Sequence, residues 1–288
     1  MKKIGTINRT KETIKKHDFH IKKRFGQNFL VDQNILRKIV DIPSITDETL
    51  VIEIGPGLGS LTEHLMELSK HVLAYEIDSD LVEILTESFH DEAISIIHDD
   101  FLKRDVDEDI KALNLDYDNV VVVANLPYYI TTPIILKIIE ESSLIKELVV
   151  MTQLEVARRI TSKPSTKDYN SLSVAIQYKT KAEIALKVPK TVFIPAPNVD
   201  SAIVKLTILD KPDIEPKSEA HFYNLVRSSF KQRRKTLVNN LYARYGEEKI
   251  NLISYLEDIE LNGQIRAENL SVNDFIKLSD YLFEKGLK

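Results

Sequence analysis

Asn125-Leu126-Pro127-Tyr128-Tyr129 bring an amide, a stiffened backbone and two phenol rings together within five residues. Pro127 lacks an N–H and biases Leu126 away from helical geometry, so the Asn-Leu step stays extended with its carbonyls exposed. The segment therefore offers acceptors, the Asn125 side-chain oxygen and a backbone carbonyl, beside an aromatic face. That pairing suits a planar group bearing an amine, such as a nucleobase. A strand end followed by a turn with packed tyrosines is the plainer alternative. Tyr129 is expected in the core under either reading.

A second constellation is Glu53-Ile54-Gly55-Pro56-Gly57-Leu58-Gly59. Gly55 and Gly57 let the backbone approach a ligand closely, and a following helix presents free N–H groups. A dinucleotide fingerprint would place glycine where Ser60 stands, and the Glu53 carboxylate would repel a pyrophosphate. Beside an ammonium and a sulfonium the same carboxylate is favourable, so the loop fits S-adenosylmethionine better than NAD. Glu76, 21 residues beyond Gly55, is placed to accept from both ribose hydroxyls. Asp100 can accept from the exocyclic amine of the cofactor's adenine, with Asp99 as the competing choice. Either acid also suits a helix N-cap.

These residues need a scaffold that gathers them. From about residue 50 to 155, strand-like and helix-like runs alternate. Strands are expected at Leu50–Ile54, Val72–Ile77, Ser95–Ile97, Val120–Ala124 and Leu148–Met151. Helices are expected at Ser60–Lys70, with Leu61, Leu65 and Leu68 on one face, and at Leu81–Ser88 and Pro133–Glu141. Four consecutive valines, Val120–Val123, mark a strand buried on both faces. Such alternation implies a parallel α/β sheet covered by helices. Ile184–Val188 and Ala202–Leu209 fit an antiparallel pair at its edge. The polar, proline-bearing stretch 210–216 reads as a linker, which divides the chain into 1–209 and 210–288. Ser271-Val272-Asn273-Asp274 has the pattern of a capping box, followed by Phe275, Leu278 and Leu282 on one helical face. The second domain should be small and helical.

Composition narrows the function classes. The chain has 288 residues and no cysteine, which excludes disulfides and thiolate metal sites. The seven histidines fall at no metal-ligand spacing, so no metal is expected. No apolar stretch reaches the roughly 18 residues of a membrane span, and no signal-peptide core follows the N-terminus; a cytoplasmic protein is expected. Net charge is −5, yet residues 1–38 hold eleven Lys/Arg against three Asp/Glu, and residues 227–246 hold six and none. Two basic segments on an acidic body form a footprint for a polyanion. Lys22-Lys23-Arg24 and Arg233-Arg234-Lys235 are the candidate contacts to that polyanion, which become RNA-backbone contacts under the family resemblance given below.

Taken together, the chain resembles the ribosomal RNA adenine N6,N6-dimethyltransferase family, in its small-subunit (KsgA) branch. Gln27-Asn28-Phe29-Leu30, the Glu53–Gly59 loop, Asn125-Leu126-Pro127-Tyr128 and the segment from Phe193 to Ser201 carry the resemblance. Phe230-Lys231-Gln232-Arg233-Arg234-Lys235-Thr236-Leu237 extends it into the tail. The resemblance implies a Rossmann-like, seven-stranded S-adenosylmethionine-dependent methyltransferase sheet with a helical C-terminal domain. It also implies that Asn28 and Leu30 contact the cofactor together with Gly55, Gly57, Glu76, Asp100 and Asn125. Asp99 departs from the family pattern, where glycine is common, and adds a negative charge beside Asp100.

The implied reaction is dimethylation of two adjacent adenosines near the 3′ end of 16S rRNA during ribosome biogenesis. The implied partner is a 30S assembly intermediate, met by a monomer. Asn125 and Leu126 would accept the N6 hydrogens, and Tyr128 and Phe193 would sandwich the base. The alternatives are a large-subunit rRNA adenine methyltransferase of the antibiotic-resistance type and a non-catalytic ribosome-assembly factor.

Overall fold

The computed structural model describes residues 3–22, 26–90 and 93–288. Two compact units emerge: Met1–Ala157 with Lys181–Ile208, and Arg158–Thr180 with Leu209–Lys288. The longer segment of the second unit begins at Leu209, next to the polar, proline-bearing stretch 210–216. The assignment of 158–180 to the second unit has no counterpart in the sequence reading, which kept that stretch in the first domain.

In the first unit the strands are β1 (Phe29–Leu30), β2 (Thr49–Ile54), β3 (His71–Glu76), β4 (Ile94–His98), β5 (Asn119–Asn125), β6 (Ile145–Gln153), β7 (Thr180–Val188), β8 (Phe193–Ile194) and β9 (Ser201–Ile208). Seven of them form one sheet in the order β4-β3-β2-β5-β6-β9-β7. The pairs β2–β3, β3–β4, β2–β5 and β5–β6 are parallel, while β9 runs antiparallel to β6. β7 and β9 neighbour each other at one edge, where the sequence had placed that pair. Every residue of β2 is buried, and so are Val120–Ala124 in β5, as expected for strands covered on both faces.

The helices of this unit are α1 (Ile7–Lys16), α2 (Gln33–Val40), α3 (Thr62–Met66), α4 (Ser79–Ser88), α5 (Val106–Ala112) and α6 (Thr131–Glu141); α7 (Leu154–Thr161) runs across the division at Ala157. Asp32, Asp78 and Asp105 cap α2, α4 and α5 through their carboxylates. α3 is shorter than the expected 60–70 helix. The Leu68 and Ser69 amides and the Ser69 hydroxyl all turn back onto the Leu65 carbonyl, which closes the helix. Leu68 is consequently 41% exposed, while Leu61 and Leu65 are buried.

Strand order reverses between β2 and β5, because the chain runs outward through β3 and β4 and then returns beside β2. Open α/β sheets bind ligands at that switch point, beyond the carboxyl ends of the strands. The glycine loop follows β2 and the Asn-Leu-Pro-Tyr turn follows β5, so both arrive there. A separate antiparallel pair, Phe29↔Ile194 and Leu30↔Phe193, brings the Gln27–Leu30 motif against the Phe193 loop, with the Val31 amide donating to Val192 O at 2.9 Å.

The second unit holds α8 (Ser171–Gln177), α9 (Glu219–Ser229), α10 (Leu237–Tyr245), α11 (Lys249–Glu257) and α12 (Val272–Glu284). Ser271 and Asp274 form the expected capping box at α12, and Phe275, Leu278 and Leu282 are fully buried. Tyr169, Val174 and Tyr178 join the core built by α9–α12, which is the physical reason that 158–180 belongs here. The Tyr169 hydroxyl donates to Leu270 O at 2.8 Å within that core.

Candidate active site

One cavity is lined by Gly26–Leu30, Glu53–Leu58, Glu76, Asp99–Leu102 and Asn125–Ile130, all from the first unit. The glycine loop shapes its floor. Gly55, Gly57 and Gly59 have φ of +70°, +61° and +83°, which L side chains rarely adopt. At Gly59 a Cβ would sit 2.5 Å from the Phe89 ring, so this glycine is required for packing as well as for its backbone angle.

Glu76, at the end of β3, takes three backbone N–H groups. Gly57 donates to Oε2 at 3.2 Å, and Ile77 and Asp78 donate to Oε1 at 2.9 and 3.0 Å. The carboxylate thus ties the glycine loop to the β3 turn. Burial pushes its pKa up to about 7 against the pull of these amides. Glu53 is more extreme. It is 1% exposed, its Oε2 has no hydrogen-bond partner, and burial pushes it up to about 8. The nearby Thr62 hydroxyl tempers the shift without reaching hydrogen-bond geometry, for Thr62 Oγ1 is itself buried and unpartnered. A carboxyl buried without a partner is costly unless a ligand satisfies it.

Asp99 and Asp100 both line the cavity, and their roles separate. Asp100 Oδ1 accepts from the Leu102 amide at 3.1 Å, capping the short turn Phe101–Lys103; its Oδ2 takes no hydrogen bond from the described residues. Asp99 lies 3.7 Å from Arg104, which also grips Asp109, and Asp109 accepts from the Tyr75 hydroxyl. Arg104 therefore offsets the extra charge that Asp99 brings. The N-cap and ligand readings of Asp100 are compatible, because each oxygen can serve one of them.

Asn125 closes the end of β5. Its Nδ2 donates to the Asn28 carbonyl at 3.3 Å, which leaves Oδ1 as an acceptor. Asn28 is held in turn by its own amide, which donates to Gly26 O at 2.9 Å. Leu30 and Leu126 are buried and line the cavity. The half-buried Tyr128 shares a 2.8 Å hydrogen bond with the Ser201 hydroxyl, which fixes its ring. Tyr129 is 58% exposed at the cavity wall and not in the core. The turn after Pro127 directs it outward, since the Ile130 amide bonds back to Pro127 O at 3.1 Å. Phe193 is placed otherwise than expected too. It is 4% exposed, packed among Leu30, Leu36 and Val188, and absent from the cavity lining. Its strand pairing with Leu30 draws the ring into the core.

Of the basic candidates, Lys23 and Arg24 lie outside the described residues. Lys22 pairs with Asp78 at 2.5 Å and Asp80 at 2.8 Å. Arg233 is held by Glu268 at 3.0 Å and by the Lys167 carbonyl, while Arg234 and Lys235 are exposed. Gln27, Asp78, Ser201 and Arg104 contribute to the site without having been singled out. Gln27 and Ser201 sit inside recognised motifs, whereas nothing in the sequence marked Asp78 or Arg104. Among the described residues no group of three or more His, Cys, Asp or Glu could hold a metal, and no helix is long and apolar enough to cross a membrane.

Residues 18–284 match the family described as ribosomal RNA adenine dimethylase. The chain belongs to that family. Among the dimethylases, Ribosomal RNA small subunit methyltransferase A of Bacillus pumilus (strain SAFR-032) is 49% identical over 285 residues, 98% of each chain. A dimethyladenosine transferase from Plasmodium falciparum superposes with a TM-score of 0.74 at 28% identity, covering 90% of this chain and 98% of that one. The 23S rRNA methyltransferase ErmE follows at a TM-score of 0.67 and 25% identity, covering 88% and 99%. The mixed sheet with its helices is thus the dimethylase fold that the sequence motifs implied.

Proposed function

We propose that the chain transfers methyl groups from S-adenosylmethionine to the N6 atoms of two adjacent adenosines near the 3′ end of small-subunit rRNA, during assembly of that subunit. The observation that carries this reading is the Asn125 amide. One of its two N–H groups donates to Asn28, which turns the amide so that its oxygen is an acceptor left at the end of β5, near Tyr128. Identity of 49% to a small-subunit enzyme, against 25% to a 23S enzyme, favours the small-subunit substrate.

The residues present fit the cofactor. Glu53, buried and unpartnered, suits a cationic amine, and Glu76 has roughly one acceptor position left beyond its three amides. Asp100 offers Oδ2 to an adenine amine. Gly55, Gly57, Asn28 and Leu30 supply the close walls. When bound, the cofactor supplies an already activated methyl group, so the protein contributes alignment more than acid–base chemistry.

Adenine N6 is a poor nucleophile, because its lone pair is delocalised into the ring. Accepting its hydrogens at Asn125 Oδ1 and the Leu126 carbonyl draws the nitrogen towards tetrahedral geometry and frees the lone pair. No strong base is required, because the methylated ammonium loses a proton readily. Tyr128, clamped by Ser201, stacks on a base flipped from the RNA, an interaction worth roughly 1–3 kcal/mol. Arg234 and Lys235 are the exposed cations placed to meet RNA backbone.

The test is transfer of labelled methyl from S-adenosylmethionine to immature small subunits, with naked 16S rRNA and large subunits as parallel substrates. Label confined to small subunits supports the reading. Label on large-subunit RNA alone would move the chain to the resistance branch, and no label on any of them would leave an assembly factor.

A further inference from the structure

Asp78 does not line the cavity, yet its carboxylate accepts as many hydrogen bonds as that of Glu76, which does. The side chain is 1% exposed at the start of α4. It accepts from Lys22 Nζ at 2.5 Å, Gln27 Nε2 at 2.9 Å and the Asp80 amide at 3.2 Å. Gln27 Oε1 accepts from the Lys22 amide at 2.8 Å, so the two residues that hold Asp78 also hold each other. On its other side Asp78 donates its own N–H to Glu76 Oε1 at 3.0 Å. Phe19 and Phe29 of the arm pack with Leu81 and Ile84 of α4 around the same spot. A serine would cap α4 without the cost of burying a second carboxylate beside Glu76. Helix stability alone therefore gives no reason for an acid here.

The geometry points to Asp78 as a positioning residue for the cofactor, tying the Gln27–Leu30 segment of the arm to Glu76 so that both present one fixed wall. It rests on the cofactor assignment made above. Lys22 then serves the cofactor site by offsetting the charge of Asp78 and Asp80, and its ammonium is committed there and not to RNA.

Asp78→Asn, Lys22→Met and the double variant test this by calorimetry with S-adenosylhomocysteine and by transfer kinetics on immature small subunits. Asp78→Asn should weaken binding of the product and raise the cofactor KM about tenfold, the scale of one lost charged hydrogen bond. Its kcat at saturating cofactor and its KM for the subunit should move less than about twofold. Lys22→Met should show the same pattern at about threefold, and the two effects should not multiply. Unchanged affinity for S-adenosylhomocysteine in both single variants would overturn the proposal. So would a Lys22→Met variant that weakens RNA binding and its salt dependence but not cofactor binding. If Asp78→Asn does not fold, Lys22→Met and Gln27→Leu decide the same question with Asp78 intact. Failure of the unaltered chain to bind S-adenosylhomocysteine would strike the proposed function itself.

Discussion

Glu53 in the sheet unit and His221 in the helical unit are both buried titratable groups, yet their surroundings differ in kind. His221 Nδ1 meets the Ser279 hydroxyl at 2.8 Å and Nε2 meets the Tyr245 hydroxyl at 3.1 Å. Ser173, Thr180, Ser229 and Asn240 of the same unit are likewise bonded. Glu53 Oε2 has nothing, and the described buried side-chain atoms without partners all fall in the sheet unit. Several of those orphans, such as Thr10 and Glu147, lie away from the cavity and have no ligand to explain them. Glu53 differs from them, because it lines the cavity beside the glycine loop. Among the described residues, the helical unit satisfies its own buried polar side-chain atoms.

The largest effect expected from breaking this contrast is at Asn125. Asn125→Ala removes a preorganised acceptor and should lower kcat by about 10²–10³-fold. Product affinity should fall far less, as calorimetry with S-adenosylhomocysteine would read.

Glu53 comes next, through pH. Its folded pKa of about 8 exceeds the ordinary 4.5, so the stability it contributes is fully present below about pH 4.5 and is lost as pH rises through about 8. Glu53→Gln should therefore stabilise the cofactor-free protein at pH 9 by a few kcal/mol, while weakening cofactor binding by tenfold or more. His221 has the opposite sign, because burial lowers its pKa. Its contribution is present above pH 6.5 and lost as pH falls below it. Hydrogen exchange resolved by segment should show β2 and α9 responding to pH in opposite directions. Parallel responses would undo the comparison.

Glycines give a sharper, smaller contrast. Gly59 and Gly246 have φ of +83° and +70°, but a Cβ at Gly246 meets nothing within 4 Å while one at Gly59 strikes Phe89. Gly246→Ala should cost about 1 kcal/mol from backbone strain alone. Gly59→Ala should cost a further 1–3 kcal/mol or so for the clash, and both are read by denaturant titration. The smallest effect belongs to the surface. Arg234→Ala with Lys235→Ala should reduce the slope of log affinity against log salt by about 1.5 for rRNA binding, and Arg233→Ala should do less, because Glu268 already holds it.

Much of the site was legible because its parts sit in contiguous motifs at strand ends. The glycine loop, Glu76, the Asp99–Asp100 pair and Asn125 could be aligned on one sheet edge from alternation, while the choice of Asp100 over Asp99 rested on the family resemblance. The Ser271–Asp274 capping box was readable for the same local reason. What the sequence hid were relations between distant residues. Phe193 reads as a ring that closes the base stack until its pairing with Leu30 draws it into the core. Tyr129 reads as core until the turn after Pro127 sends it outward. Lys22 and Arg233 read as free cations, and only the folded chain shows the acids that hold them. The transfer of 158–180 to the helical unit depends on Tyr169 and Tyr178 finding partners past residue 220.

The central claim is tested most directly by mass spectrometry of small-subunit rRNA digested after reaction with S-adenosylmethionine and the purified chain. N6,N6-dimethyladenosine at two adjacent positions near the 3′ end, absent with Asn125→Ala, is the predicted result. Unmodified adenosine in both reactions, or the same dimethyladenosine yield with and without the Asn125 amide, would contradict it.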